Sequence, residues 1–586
     1  MNILGINAYH GDSSSCIVQN GKLIAAAEEE RFKRIKHWAG FPIDSIIYCL
    51  KEANIALSDL DHIAINSDPT AHLFKKIGYS LSTRPEIGLI LDRVKNKKKR
   101  ADVEAELLKA FPNDSFSGKV HHIEHHTAHL ASAHFVSPFE ESVAVSIDGF
   151  GDFSSSAWGL CKDNQIKVDK RVFFPHSLGV FYQALTQFIG FPYYGDEYKV
   201  MGLAPYGKPE FLKKMRDIVL IENDGKFKLN LKYFLHHNTK VNYEWDGGSP
   251  SVGNLFNKYE LEALLGLKTR LSNEKLTNTH FNLAHSIQAM YEEAFFNILE
   301  STYNKYQVEK LSLAGGCAMN SVANGKVYRR SSYKEVYIQS AAGDAGGAIG
   351  AAFVVANKFQ KNQDNFYMQH AYWGPSFNNN YHQQLLNDRE KEMTKQDCHF
   401  ELINDESKLC YETAIAISEG LVIGWFQGRM EWGPRALGNR SILGDPRRAD
   451  MKDILNIKIK RRESFRPFAP SILRESVKDW FEEDDDVPFM MKVFQIKEEK
   501  RDLIPAVTHV DGSGRLQTVS SSTNRRYYKL ISSFESLTGI PILLNTSFNE
   551  NEPVVCRPDE ALNTFLRSKM DVLVLGNYFV RRHKDI

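Results

Sequence analysis

ILGINAYHGDSSSCIVQNGKLIAAA (Ile3 to Ala27) decides the fold. Its apolar residues alternate around a Gly/Asp/Ser turn and then an Asn-Gly turn, the pattern of strands folded back on one another. The same design recurs as VAVSIDGFGDFSSSAWGLCKDNQIKV (Val143 to Val168). Setting Asn7 against Asp148 brings the GDSSS of Gly11 to Ser15 to within one residue of the GDFSSS of Gly151 to Ser156. Such an echo arises by chance in some strand-rich chains. The alternative is a duplicated unit in which each hairpin turn offers backbone N–H groups and hydroxyls to a phosphate chain. Two such turns facing each other make a nucleotide cleft.

A cleft also needs a floor. LSLAGGCAMNSVANGKV (Leu311 to Val327) reads as a buried strand, a Gly-Gly turn and a helix, and AAGDAGGAIGAAFVVA (Ala341 to Ala356) repeats that format. Glycines after a strand let the backbone approach a ligand and open a helix whose N-terminus favours anions; tight packing is the other use of such a turn. The plan resembles the duplicated ribonuclease-H-like fold of actin and sugar kinases, an analogy of fold alone.

Metal chemistry is suggested by HHTAH. His125 and His129 stand one helical turn apart, so both imidazoles can face one ion. Two histidines leave most of a coordination sphere open. Asp148, at the end of the second strand pattern, and Asp344, in the glycine-rich GDAGGAIG, are the expected carboxylate ligands. Such a set with vacant positions suits Fe(II) or Zn(II). The alternative for the histidine-rich stretch is a polar helix start.

With 586 residues the chain is too long for one core and divides into roughly three or four domain-sized units. Its 73 basic and 72 acidic residues nearly cancel, which gives no global electrostatic argument for nucleic acid or a membrane. The seven cysteines are scattered without a CxxC pair, as expected of reduced thiols in the cytoplasm. No signal peptide or membrane-spanning run is read. The amide-rich KFQKNQDNFYMQH (Lys358 to His370) is expected to be a linker, which sets an N-terminal domain at 1–360, with subdomains near 1–140 and 141–360, and a C-terminal α/β domain at 371–586.

Beyond the linker, arginines interleave with Gly, Pro and aromatics through VIGWFQGRMEWGPRALGNRSILGDPRR and IKIKRRESFRPFAPSIL. A solvated face or an RNA-binding patch is one reading of Arg429, Arg435, Arg440, Lys460, Arg462 and Arg466; guanidinium forks converging on phosphate or carboxylate are the sharper one. HVDGSGRLQTV adds Arg515, and PILLNTSFNENEPVV runs a strand into Asn545, Thr546 and Ser547, a polar turn or a phosphate cradle. The lysine-rich LDRVKNKKKRADVE (Leu91 to Glu104) reads as an exposed helix or loop.

In order and along almost the full chain, these segments resemble the NodU/CmcH family of O-carbamoyltransferases. The matching strings are HGDSSS at His10, EERFKRIKH at Glu29, HHTAHLASA at His125, SLGVFYQALTQFIGF at Ser177, KVMGLAPYG at Lys199, AGGCAMN at Ala314, GDAGGAIGAA at Gly343, GRMEWGPRALGNRS at Gly428, FRPFAPS at Phe465, HVDGSGRLQTV at His509 and LLNTSFN at Leu543. Departures are small: Cys16 where alanine is common, and Ser513 where threonine is expected. The resemblance implies a two-site enzyme whose N-terminal part is threonylcarbamoyl-transferase-like and whose C-terminal part is YrdC-like.

On that resemblance, carbamoyl phosphate and ATP, with Mg²⁺, meet in the C-terminal domain at Arg435, Arg440, Lys460, Arg466 and Arg515, with Asn545, Thr546 and Ser547 on phosphate oxygens. The carbamoyl adenylate so formed passes to the ion held by His125, His129, Asp148 and Asp344, where a hydroxyl acceptor takes the carbamoyl group. Gly315, Gly316, Asn320 and Gly343 are expected along the nucleotide. His10 and Asp12 are the candidate base and its orienter, and Lys36 the cation for the adenylate. A tRNA threonylcarbamoyl transferase and a non-catalytic ATP sensor are the rival readings. The acceptor is unreadable, beyond the expectation that variable segments such as Asn223 to Asn278 line its pocket; a homodimer is left open.

Overall fold

The computed structural model describes residues 1–83, 103–241, 243–244, 250–359, 366–460, 463 and 465–583. Arg462 and most of the lysine-rich stretch fall outside them. The chain forms two compact units, Met1–Met368 and Gln369–Ile586. Lys358 and Phe359, expected at the start of a linker, instead close a helix.

Two five-stranded sheets make the first unit. The first contains β1 (Asn2–Asn7), β2 (Ser14–Gln19), β3 (Lys22–Glu28), β4 (His62–Ile65) and β5 (Lys119–His122) in the order β3-β2-β1-β4-β5. The second contains β6 (Glu141–Gly151), β7 (Ser154–Lys162), β8 (Gln165–Phe173), β9 (Lys310–Ala314) and β10 (Glu335–Tyr337) in the order β8-β7-β6-β9-β10. In each, a three-strand antiparallel meander is extended by two parallel strands. The echo is therefore structural, one mixed α/β plan used twice. Register makes the match residue by residue: the last serine of each triplet, Ser15 and Ser156, pairs with Ile6 and Ile147. Asn7 and Asp148 consequently hold the same place, one residue on.

Two small-residue helices pack face to face between the sheets. α1 (His125–His134) lies against β6, and α2 (Gly346–Phe359) against β1 and β2. Their backbones come so close that a Cβ on Gly350 would sit 1.8 Å from the Ala128 carbonyl oxygen. Only glycine permits that approach. The pairing carries the N-terminal ends of both helices to the C-terminal ends of β1 and β6, where ligands bind in parallel α/β sheets.

The second unit is built on an eight-stranded mixed sheet. Its strands are β11 (Cys398–Leu402), β12 (Ile423–Phe426), β13 (Arg440–Gly444), β14 (Ala469–Leu473), β15 (Gln517–Val519), β16 (Ile542–Ser547), β17 (Val572–Leu575) and β18 (Tyr578–Arg582), in the order β11-β18-β17-β12-β13-β16-β14-β15. Amphipathic helices, including Glu406–Ser418 and Arg525–Thr538, bury Leu409, Ile417, Leu530 and Phe534. No disulfide joins any of the seven cysteines. Among the described residues, no helix is long and apolar enough to cross a membrane.

Candidate functional site

His125, His129, Asp148 and Asp344 converge. The Nε2 atoms of the two histidines are 3.0 Å apart, and Asp148 Oδ2 lies 3.1 Å from His125 Nε2 and 3.0 Å from His129 Nε2. Asp344 Oδ1 faces the same two nitrogens at 3.5 and 3.4 Å. Ligands held about 2.1 Å from one ion are about 3.0 Å apart in octahedral and about 3.4 Å apart in tetrahedral arrangements, so these spacings fit a first-row divalent cation. A second observation agrees: Asp344 Oδ1 is buried and accepts no hydrogen bond.

Each ligand is positioned by its element. Glu124 caps α1 by accepting from the His126 and Thr127 N–H groups, while Asp152 accepts from the His125 N–H and from Ser67 and Asp68. Asp148 ends the straight part of β6, and its Oδ1 accepts from the Gly149 and Gly316 N–H groups. Those bonds aim Oδ2 at the imidazoles, the outer-sphere orientation that metal sites need. Burial works against charge on His129, but the carboxylates of Asp148 and Asp344 outweigh it and hold the imidazole up to about 9. Asp148 is held well below the carboxylate range against its burial, by His125 and His129. By contrast, burial and the adjacent His125 push His126 down to about 3, and its Nδ1 lies 2.9 Å from the Ser146 hydroxyl.

The first turn joins this cluster through His10, whose Nδ1 is 3.2 Å from Asp344 Oδ2. Asp12 was expected to orient His10. Instead its carboxylate lies 2.7 Å from His37 Nδ1, so Asp344 is the residue on His10 and Asp12 braces His37. Glu30 accepts from the His37 backbone N–H, and Asp12, Glu30 and His37 form a second group with ligand-type atoms within 4.8 Å of one another. Burial opposes charge on His37, but Asp12 outweighs it and raises the ring to about 9. Lys36 adds positive charge beside this pair. Sequence reasoning missed His37 and Asp152; the latter was signalled by its match to Asp12 in the echo.

Gly315, at φ +86°, lies so near Ile147 that a Cβ would be 2.2 Å from its carbonyl oxygen, and Gly316 serves Asp148. Gly343 and Gly316 face each other, with 3.8 Å from a Cβ built on the former to the Cα of the latter. The two glycine turns thus adjoin at the ion cluster. Asn320 caps the helix that follows it and pairs its amide with Gln288.

In the second unit, register gathers the arginine loops at one end of the sheet. Asn545 of β16 pairs with Ala469, three residues past Arg466, and Ser547 pairs with Ser441, next to Arg440. Gln517, two residues past Arg515, pairs with Ser471 and donates to the Leu437 carbonyl, two residues past Arg435. Arg435, Arg466 and Arg515 are each partly exposed there.

Three residues of this cluster bond within the unit itself. Arg440 is fully buried, stacks on Phe426 at 3.7 Å, and donates to the carbonyls of Gln427, Asn439, Pro375 and Gly428; its guanidinium is committed to the fold. Asn545 donates to Ala436, Ser471 and Gln517, which ties the arginine loop to the sheet. Lys460, 2% exposed, donates to Ser547 and Asn549 and clamps the strand end, occupying the Ser547 hydroxyl. Thr546 remains partly exposed beside them. Glu431 was missed: fully buried, it accepts from the Leu437, Asn439 and Arg440 N–H groups and shapes the loop.

Comparison with known proteins supplies the chemistry. An uncharacterized protein of Synechocystis is 38% identical over 99% of this chain and 96% of its own length. The nodulation protein NolNO of Sinorhizobium fredii is 36% identical over 98% of this chain and 80% of its own. Among solved structures, HypF of T. kodakarensis aligns over 61% of this chain and 48% of that one, at 12% identity and a TM-score of 0.30, too low to bear on the argument. Residues 2–353 match the family model described as carbamoyltransferase N-terminus and residues 414–582 the one described as carbamoyltransferase C-terminus. This chain belongs to the carbamoyltransferase family, and is a transferase.

Proposed function

We propose that the protein is an ATP-dependent O-carbamoyltransferase. In the C-terminal unit, read as YrdC-like, carbamoyl phosphate, ATP with Mg²⁺, and water give carbamoyl adenylate, pyrophosphate and phosphate. In the N-terminal unit, read as threonylcarbamoyl-transferase-like, the carbamoyl group passes to a hydroxyl of a small molecule and AMP leaves. The observation that carries this reading is the convergence of His125, His129, Asp148 and Asp344 between two nucleotide-type turns, in a chain of the carbamoyltransferase family.

Both substrates of the first step are polyanions, and fixed cations are needed to bring them together. Arg435, Arg466 and Arg515, collected at one sheet end, supply them, while Arg440, Lys460 and Asn545 hold the loops that present them. Fe²⁺ or Zn²⁺ held by His125, His129, Asp148 and Asp344 would supply Lewis acidity toward the adenylate. His10, steered by Asp344, takes the acceptor's proton as its oxygen attacks the carbamoyl carbon, a task typically worth roughly 10²–10⁴-fold. Lys36 provides countercharge, and the backbone of Gly315, Gly316 and Gly343 lines the nucleotide. The reading needs no nucleic acid or membrane partner, and unpaired thiols suit a cytoplasmic location.

Pyrophosphate release and product mass test it. Release from ATP is expected only when carbamoyl phosphate is present. Arg466→Ala abolishes that release, whereas His129→Ala preserves it and abolishes carbamoylation across a panel of sugar and polyketide alcohols. Equal loss of the first step in both variants would overturn the division of labour.

A further inference from the structure

The helix Leu73–Thr83 is turned the opposite way to an ordinary surface helix. Successive residues step round an α-helix by about 100°, so Lys75, Lys76 and Tyr79 share one side, and Leu73, Phe74, Ile77, Gly78 and Leu81 share the other. The first side lies toward the protein. Lys75 Nζ is 5.4 Å from the centre of the Phe173 ring, Lys76 donates to the Pro69 carbonyl at 3.4 Å, and Tyr79 donates to the His237 carbonyl at 3.3 Å. The apolar side is left to water: Phe74 is 93% exposed, Leu81 74%, Ile77 54% and Leu73 43%. A Cβ built on Gly78, in the middle of that side, meets no atom within 4 Å. Surface helices ordinarily bury the apolar stripe and show the polar one. A contiguous apolar face held out in this way marks an interaction surface.

Size and charge select the partner. Four large apolar side chains on one short helix are far fewer than the roughly 20 residues a side of a stable protein interface. A second copy of the chain is disfavoured by charge as well. The helix carries two lysines and no acidic residue, and the sequence that continues from it, Arg84 to Asp102, has seven basic and three acidic residues. Two copies meeting here would set like charges against each other. An anionic lipid surface has neither difficulty: apolar side chains enter the headgroup boundary without needing a matched shape, and lysines and arginines stay at the charged surface. With a net charge of only +1 for the whole chain, that attraction is local to this helix and the sequence after it.

We propose that the Leu73–Thr83 helix is a peripheral docking face for an anionic lipid surface, with Phe74, Ile77 and Leu81 entering the headgroup boundary. The docking face is the helix alone; the basic sequence beyond it sets the sign of the surface it meets. The contact is attachment from one side, in a chain where, among the described residues, no helix is long and apolar enough to cross a membrane. It goes beyond carbamoyl transfer and does not depend on it, since binding is expected with or without ATP and carbamoyl phosphate.

Sedimentation of the full chain with vesicles tests it, using pure phosphatidylcholine and phosphatidylcholine mixed with phosphatidylglycerol. The protein is expected to pellet with the mixed vesicles and to stay in solution with the neutral ones. Raising salt from about 0.1 M to about 1 M, which shortens the screening length from roughly 10 to 3 Å, weakens the binding. Phe74→Ser combined with Leu81→Ser lowers partitioning at least about tenfold. The thermal midpoint stays unchanged, since both side chains already stand in water, and Phe74→Trp, which keeps a large apolar ring, binds as the parent does. Equal binding to both kinds of vesicle, binding to neither, or parental binding by the double serine variant overturns the proposal. So does a midpoint lowered by the double variant, which would assign the face to packing within the chain, or a dimer by light scattering that the double variant dissolves, which would assign it to a second copy.

Discussion

The turns after β1 and β6 share one backbone plan and differ in what stands at the strand end. Asn7 folds inward, donating to the carbonyls of Gly11 and Asp12 and closing its own turn. Asp148, at the equivalent place, spends Oδ1 on two N–H groups and turns Oδ2 to His125 and His129. Duplication therefore supplies two similar scaffolds, and one atom at one position, amide nitrogen or carboxylate oxygen, separates a self-contained turn from a candidate ion ligand. The aspartates one step along follow the same logic. Asp12 and Asp152 both adopt positive φ, at 57° and 46°; the first braces His37 and the second the start of α1.

Making the second turn resemble the first breaks the comparison most severely. Asp148→Asn exchanges a ligating oxygen for an uncharged amide and removes the charge that holds His129 protonated or ion-bound. Partners outside the ligand shell already cost about 10- to 100-fold in metal affinity, so the loss of a ligand is expected to cost at least about 100-fold, with carbamoyl transfer falling in step. Metal content by elemental analysis, set beside product formation, measures both. Retention of a full complement of metal would mean that the four-residue cluster is an ion-pair network and not a centre.

pH sharpens the comparison at a smaller scale, because the raised histidine of the second half, His129, is itself a candidate ion ligand, whereas that of the first half, His37, is braced by Asp12 outside the four-residue cluster. In the metal-free protein His129 is raised from 6.5 to about 9. Its stabilising contribution is complete below pH 6.5 and is lost as pH climbs through 9, a span of on the order of 3 kcal/mol. Asp344, held at about 2 by His10 and His129 against burial and the charge of Asp148, contributes above its ordinary value of 3.8 and fails only as pH falls through 2. Metal displaces the proton on His129, so loading strengthens as pH rises while the metal-free form weakens. Thermal midpoints of chelated and reloaded protein between pH 6 and 9 are expected to diverge. Parallel curves would remove His129 from the site.

What was legible in the sequence was local chemistry repeated. Gly-Asp-Ser turns between alternating strands specify a backbone without help from distant residues, so the echo predicted even the equivalence of Asn7 and Asp148. His125 and His129 were legible for the same reason, as helical spacing alone puts them on one face. His126 and His134 are the same residue type on the same helix, yet they turn to Ser146 and Ser142 of β6. The arginine loops resisted reading because what an arginine does depends on partners far away in the chain. Arg440 is taken by the carbonyl of Pro375, and Asn545 by Ser471 and Gln517, none of them announced by neighbouring residues. His37 was passed over beside Lys36 because a lysine advertises its charge, whereas a histidine is charged only where a carboxylate makes it so.

The reverse exchange, Asn7→Asp, has the smallest expected effect and is the most discriminating. A carboxylate at position 7 loses the two donations to Gly11 and Asp12 and faces their carbonyl oxygens, which is expected to destabilise the first unit by about 1–3 kcal/mol. It is expected to create no second ion site, because among the described residues no imidazole pair joins a ligand group at position 7: in β5 and its surroundings, His121 pairs with His62 and His122 contacts Ser67. Denaturant midpoints measure the loss, and elemental analysis is expected to return the same metal content as the parent. A gain of one bound ion per chain would show that the strand-end carboxylate, not the α1 histidines, creates the centre, and the asymmetry between the halves would then lie in one residue instead of in two elements.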